Sequence, residues 1–121
     1  MSTSTIKDLN PKKVWKHFYA LTRIPRPTGQ MEEVSEYVKK IGYDCNLEVK
    51  QDKVGNVVIT KPASDGYENR PTVILQAHMD MVPQKNADVD HDFTKDPIEA
   101  YVSDGIVKAR STTLGADNGI G

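Results

Sequence analysis

A single cysteine, Cys45, occurs among the 121 residues, so no internal disulfide can brace the chain, and a reducing, cytoplasmic setting is the compartment that suits it. Charge of one sign is also lacking. Sixteen basic residues against seventeen acidic ones leave a formal net charge of -1, which supplies no long-range pull toward nucleic acid or an anionic membrane surface. Neither is expected as a partner. No apolar run approaches the roughly 18 residues of a spanning helix. The opening Met1-Ser2-Thr3-Ser4-Thr5 has neither the basic flank nor the apolar stretch of a secretory signal. At 37% hydrophobic residues, the chain has material for one small core and no more than one domain.

Helical patterns come first and strand patterns follow. Asn10-Pro11 predicts a helix start, because asparagine can cap free amides and proline at the first helical position forfeits no intrahelical bond. Val14, Phe18 and Leu21, with Trp15 beside them, make its expected buried stripe. Ile24-Pro25-Arg26-Pro27 stops that helix. Thr28 is placed as the cap of a second, whose apolar Val34, Tyr37, Val38 and Ile41 recur at helical spacing until Gly42 offers a left-handed end. From Leu47 the period drops to two, with Leu47 and Val49 opposite Glu48 and Lys50, as in a half-buried strand. Gly55-Asn56 turns the chain into a returning strand, Val57 to Thr60, and Pro62 to Arg70 reads as a surface loop. Thr72-Val73-Ile74-Leu75-Gln76-Ala77 is nearly continuous in apolar residues, the pattern of a strand covered on both faces, and is expected at the centre of the sheet. Pro83 to Pro97 is a long polar loop. Two short runs flanking Ser103-Asp104-Gly105 then predict a hairpin.

Two clusters carry chemistry. In Gln76-Ala77-His78-Met79-Asp80-Met81-Val82, extended backbone puts residues two apart on one side, with α-carbons roughly 6.5 to 7 Å apart, so His78 and Asp80 face one space. A neutral imidazole ligates zinc through one nitrogen, and a neighbouring carboxylate can fix the ring. The plainer reading ends a strand at the surface, with Asp80 bonded to a loop. In Thr112-Thr113-Leu114-Gly115-Ala116-Asp117-Asn118-Gly119-Ile120-Gly121, glycines let the backbone bend around Asp117, whose two oxygens can bridge two metal ions. Its plainer reading is a turn in which Asp117 caps a helix. Phosphate binding is disfavoured, since the glycine spacing matches neither nucleotide fingerprint and Asp117 would repel the anion. His91, in Asp90-His91-Asp92, is expected to be solvated, and His17 to sit on the surface of the first helix. Cys45 has no activating neighbour in sequence. Glu32 and Glu33 suit the first turn of a helix.

Val73 through Asn86 and Thr112 through Gly121 together closely resemble the N-terminal part of bacterial aminoacyl-histidine dipeptidases, a family of two-zinc peptidases. The likeness extends through Ile24-Pro25-Arg26, Val54-Gly55-Asn56-Val57, Lys61-Pro62-Ala63, Glu68-Asn69-Arg70 and His91 to Ile98. Ser111 stands where the family has glycine after Arg110. The resemblance implies an α/β fold, the N-terminal part of a zinc-peptidase catalytic domain over residues 1–121, with two helices and a mixed β-sheet. It implies that His78 binds one zinc, that Asp117 bridges two zinc ions and that Asp80 has a catalytic supporting role. The substrate it implies is a dipeptide, preferably Xaa-His, and the longer parent is expected to be a homodimer. The family's general-base glutamate, its further ligands and its inserted dimerisation domain have no matching positions here, so this chain by itself is expected to be inactive. Two further readings stand beside this one: a related two-zinc aminopeptidase or deacylase, and a non-catalytic folding or interaction fragment.

Overall fold

The computed structural model describes residues 3–121, with side chains from Ile6 onward; Met1 and Ser2, the start of the opening segment, lie outside the described residues. A 3-10 helix, Thr3–Asp8, leads into α1, Lys12–Thr22, and α2, Glu32–Asp44. Two strand pairs follow, β1 (Glu48–Gln51) with β2 (Val57–Thr60), and β3 (Ala100–Ser103) with β4 (Ile106–Ala109). The last element, α3, is the single turn Ala116–Gly119. The α/β class is as expected. The mixed sheet is not, because each pair is a separate two-stranded antiparallel sheet.

Helix α1 starts one residue later than the sequence suggests. Pro11 is extended and precedes it, while the Asn10 carbonyl accepts the Trp15 indole N–H at 3.1 Å. Its buried face also rotates. Phe18 and Thr22 are buried and Val14 is exposed, so the inward stripe runs Trp15, Phe18, Tyr19, Thr22, which keeps the spacing of one helical face. That stripe meets Ile6 of the 3-10 helix and Ala100, with Val102, Val107 and Leu114 packed around them. Trp15 and Phe18 meet edge to face, with ring centroids 6.0 Å apart. This is the principal core, and it draws the 3-10 helix and α1 onto the β3–β4 hairpin.

Helix α2 opens at Glu32 with Met31 before it and no side-chain cap, so Thr28 does not cap it. Gly42 also differs from expectation. It lies within the helix and is buried, and a Cβ there would stand 2.5 Å from Val49 Cγ2. Its role is to let α2 approach β1. The left-handed residue that ends the helix is Asn46, at φ 57, and the Leu47 amide then donates to the Gly42 carbonyl at 2.9 Å, closing the terminus as glycine or asparagine commonly does. The β3–β4 turn matches expectation: Asp104 and Gly105 both have positive φ, as a two-residue hairpin loop of the right twist requires.

The largest correction concerns residues 72–77. They form no ladder, and Val73, Ile74 and Leu75 are 79%, 85% and 93% exposed. A central strand needs neighbours on both edges to satisfy its amides and carbonyls. Among the described residues none lies alongside, since β2 pairs with β1 alone. The segment is anchored at its far end, where the Met81 amide donates to the Arg26 carbonyl at 2.8 Å and Met81 bridges Pro27 in parallel. After it comes the expected polar loop, tied back by an antiparallel bridge between Lys85 and Thr112.

Candidate metal centre

His78 and Asp80 leave the end of the exposed apolar segment, and Asp117 leaves a loop that begins 37 positions further on from His78. The fold brings all three together. His78 Nδ1 lies 3.0 Å from Asp80 Oδ1, and His78 Nε2 lies 3.5 Å from Asp117 Oδ1. An ionised carboxylate only accepts, so a neutral ring protonated on Nδ1 donates to Asp80 and turns the Nε2 lone pair toward Asp117, whereas a ring protonated on both nitrogens donates to each carboxylate. Asp80 is held in turn by the Thr28 hydroxyl, which donates to Oδ2 at 2.6 Å. Thr28, Asp80, His78 and Asp117 therefore form a chain of contacts in that order.

Electrostatics follow the same order. The Thr28 hydrogen bond, followed in effect by the His78 contact, holds the Asp80 carboxyl below its ordinary value. The bond to Asp80 raises the His78 imidazole above its own, with a further contribution from Asp117. Asp80 is the most sheltered of the three side chains at 24% exposed, against 46% for His78 and 99% for Asp117. A sheltered carboxylate that orients an open imidazole is the usual arrangement behind a metal-binding histidine.

Loop geometry brings Asp117 to this place. Gly115 has φ +79, and a Cβ on it would meet Arg26 Nη2 at 2.6 Å and Met81 Sδ at 2.8 Å. Any other residue would be both strained and obstructed. Asp117 and Asn118 leave helical geometry inside α3, and the residue that precedes this turn is Gly115. The donor set suits zinc, being one imidazole nitrogen and one carboxylate oxygen. At zinc–ligand distances of about 2.1 Å, two tetrahedral ligand atoms stand about 3.4 Å apart, close to the 3.5 Å observed. Two ligands fall short of the three that a catalytic zinc ordinarily takes from protein, and among the described residues no three histidine, cysteine or acidic side chains are placed so as to hold one metal ion between them.

The site opens on a cleft of about 840 Å³ that runs from Val34 and Val58 past Ile74 to His78, Asp80 and Asn118. Sequence reasoning did not find Arg26 or Thr28 as site residues. Arg26 was read as part of a helix-stopping segment and of the family likeness, and Thr28 as a cap, and their positions at the site depend on contacts more than fifty residues away. His91 is half-buried rather than solvated, with its ring 4.5 Å from that of Phe93, and it takes no part in the site. His17 is likewise half-buried and pairs through Nδ1 with the Tyr37 hydroxyl at 2.8 Å.

No family model matches the chain. It is 51% identical over 118 residues to a cytosol non-specific dipeptidase of Escherichia coli strain K12, a match that covers 98% of this chain and 24% of that relative. The crystal structure of an aminoacylhistidine dipeptidase from Vibrio alginolyticus superposes with a TM-score of 0.90 at 48% identity, over 95% of this chain and 24% of the other. The chain thus spans about a quarter of the length of the relatives it matches. Identity at this level, on a backbone this similar, makes the chain homologous along nearly its whole length to one segment of these two dipeptidases.

Proposed function

We propose that the chain is the N-terminal part of the catalytic domain of a zinc-dependent dipeptidase, in which His78 and Asp117 are metal ligands and Asp80 supports catalysis by orienting His78. The observation that carries the reading is the His78 Nε2 to Asp117 Oδ1 approach of 3.5 Å, made while Nδ1 is engaged by Asp80. When bound, zinc would supply a water acidified toward a pKa of about 7 and would polarise the scissile carbonyl. His78 offers the nitrogen lone pair. Asp117 offers carboxylate oxygens able to reach two ions. Asp80 and Thr28 keep the imidazole in the tautomer that leaves Nε2 free. The family's general-base glutamate has no matching position here, so complete hydrolysis belongs to a longer polypeptide that supplies it.

The likeness to two dipeptidases favours dipeptides over longer peptides or N-acyl amino acids, and the second of them, an aminoacylhistidine dipeptidase, favours an Xaa-His substrate. A cytosolic location is inferred from the first relative's name; no described helix is long and apolar enough to cross a membrane. The homodimeric parent remains part of the proposal.

The reading is tested by a chimera in which this chain replaces the corresponding segment of the Escherichia coli relative. It should bind two zinc ions and hydrolyse Xaa-His dipeptides in preference to tripeptides and N-acyl amino acids, and a chelator should abolish that activity. His78→Ala should remove both hydrolysis and tight uptake of one zinc. A folded chimera whose His78→Ala form keeps its activity and both zinc ions would refute the assignment. The isolated chain should show no hydrolysis.

A further inference from the structure

Arg26 is 3% exposed, although it sits in the loop between α1 and α2 and carries a charge that no carboxylate pairs at salt-bridge distance among the described residues. Burying a guanidinium is costly unless its N–H groups find acceptors. Here they find backbone carbonyls from both halves of the site. Nη1 donates to Met79 at 3.1 Å and to Asp80 at 3.3 Å, and Nη2 donates to Gly115 at 2.9 Å. The Arg26 main chain adds a third tie, its carbonyl accepting the Met81 amide at 2.8 Å.

The first pair of acceptors lies within the segment that carries His78 and Asp80, and Gly115 lies two residues before Asp117. We infer that Arg26 is the positioning residue of the metal centre, its planar fork setting the separation between the His78 strand end and the Asp117 loop. The fit around the fork is close. A Cβ on Gly115 or on Gly119 would come within 2.6 Å or 3.1 Å of Nη2, so both glycines leave the space that the guanidinium fills. A fixed planar fork can address two divergent acceptor sets at once, whereas the lysine ammonium is a point charge on a flexible stem. Arg26 touches neither of the facing atoms, His78 Nε2 and Asp117 Oδ1, and acts through the backbone that carries them. Because the inference rests on the metal-site reading given above, its test needs one readout that does not involve metal.

The experiment compares the 121-residue chain with its Arg26→Met and Arg26→Lys variants by NMR. The metal-independent readout is the set of through-space contacts between residues 78–81 and residues 115–117. The second is the zinc concentration that half-saturates the shift of the His78 imidazole resonances. Arg26→Met should lose the contacts between the two segments while those within the β3–β4 hairpin persist, and its zinc affinity should fall by about 10- to 100-fold, the usual loss when the support of a ligand is removed. Arg26→Lys should fold and still bind zinc more weakly than the parent. If Arg26→Met does not fold, Arg26→Lys carries both readouts, with the same direction of change expected in each.

Persistence of the contacts in the variants would overturn the inference. So would their loss with unchanged zinc affinity of the folded fraction, which would mark Arg26 as structural only. If zinc does not shift His78 even in the parent chain, which supplies fewer ligands than a zinc ordinarily takes, the metal reading is decided by the chimera described above, and the contacts alone decide for or against Arg26.

Discussion

Asp80 has one carboxylate and two partners, with the Thr28 hydroxyl on Oδ2 and the His78 imidazole on Oδ1. Thr28→Val removes the donor and keeps the shape, so the Asp80 carboxyl should titrate at higher pH than in the parent; a carbon-detected NMR titration of Asp80 reads this directly, and an unchanged midpoint would remove Thr28 from the site. Ser111 presents a different residue-scale problem. It holds φ 61, a left-handed conformation that costs a residue with a Cβ about 1–2 kcal/mol. Ser111→Gly should relieve that strain, and glycine's greater freedom when unfolded offsets part of the gain. A net stabilisation of about 1 kcal/mol is expected in urea unfolding. Ser111 was singled out in the sequence only through the family comparison; its φ is what gives the departure a physical meaning.

At the scale of elements, the hairpins and the second helix were largely legible and the rotation of the first helix was not. Alternation at Glu48 to Lys50 and the Asp104-Gly105 turn act through neighbours a few residues away, so local pattern suffices. Which face of α1 is buried depends on where Ile6 and Ala100 stand, and Val14 and Trp15 both satisfy an apolar stripe until those partners are known. The β1–β2 connection gives a prediction at this scale. Asp52 accepts from the Asn56 side chain and from the Asn56 and Val54 amides, and these bonds, the Asn56 side chain's first, hold its carboxyl below the ordinary value. A carboxyl with a lowered folded pKa adds stability above its unfolded value, about 3.9, and that contribution is lost as pH falls through the lower folded value. Asp52→Asn should therefore be less stable than the parent near neutral pH, and the gap in urea midpoint should close on acidification below about pH 3. A gap independent of pH would mean that the charge contributes nothing.

For the whole molecule, the dominant feature is the bare segment from Thr72 to Ala77. Its apolar side chains are open on both faces and its backbone has no ladder, which makes it a template for pairing with another chain. The isolated 121-residue chain should self-associate with rising concentration in sedimentation velocity, and Ile74→Lys should shift it toward monomer. A chain that stays monomeric throughout, with the same profile in the variant, would contradict this. The homologous dipeptidases are about four times longer than this chain, in keeping with an element whose sequence is written for burial standing exposed here.

By itself, the sequence determined the α/β class and the positions of two helices and two strand pairs, because periodicity and turn chemistry are local properties. Only the tertiary structure decided that His78 Nε2 faces Asp117 across 3.5 Å, that Thr28 donates to Asp80 and that Arg26 donates to the Gly115 carbonyl. Those relations join residues some 40 to 90 positions apart, and no local pattern records a contact whose partner is set by how the whole chain packs.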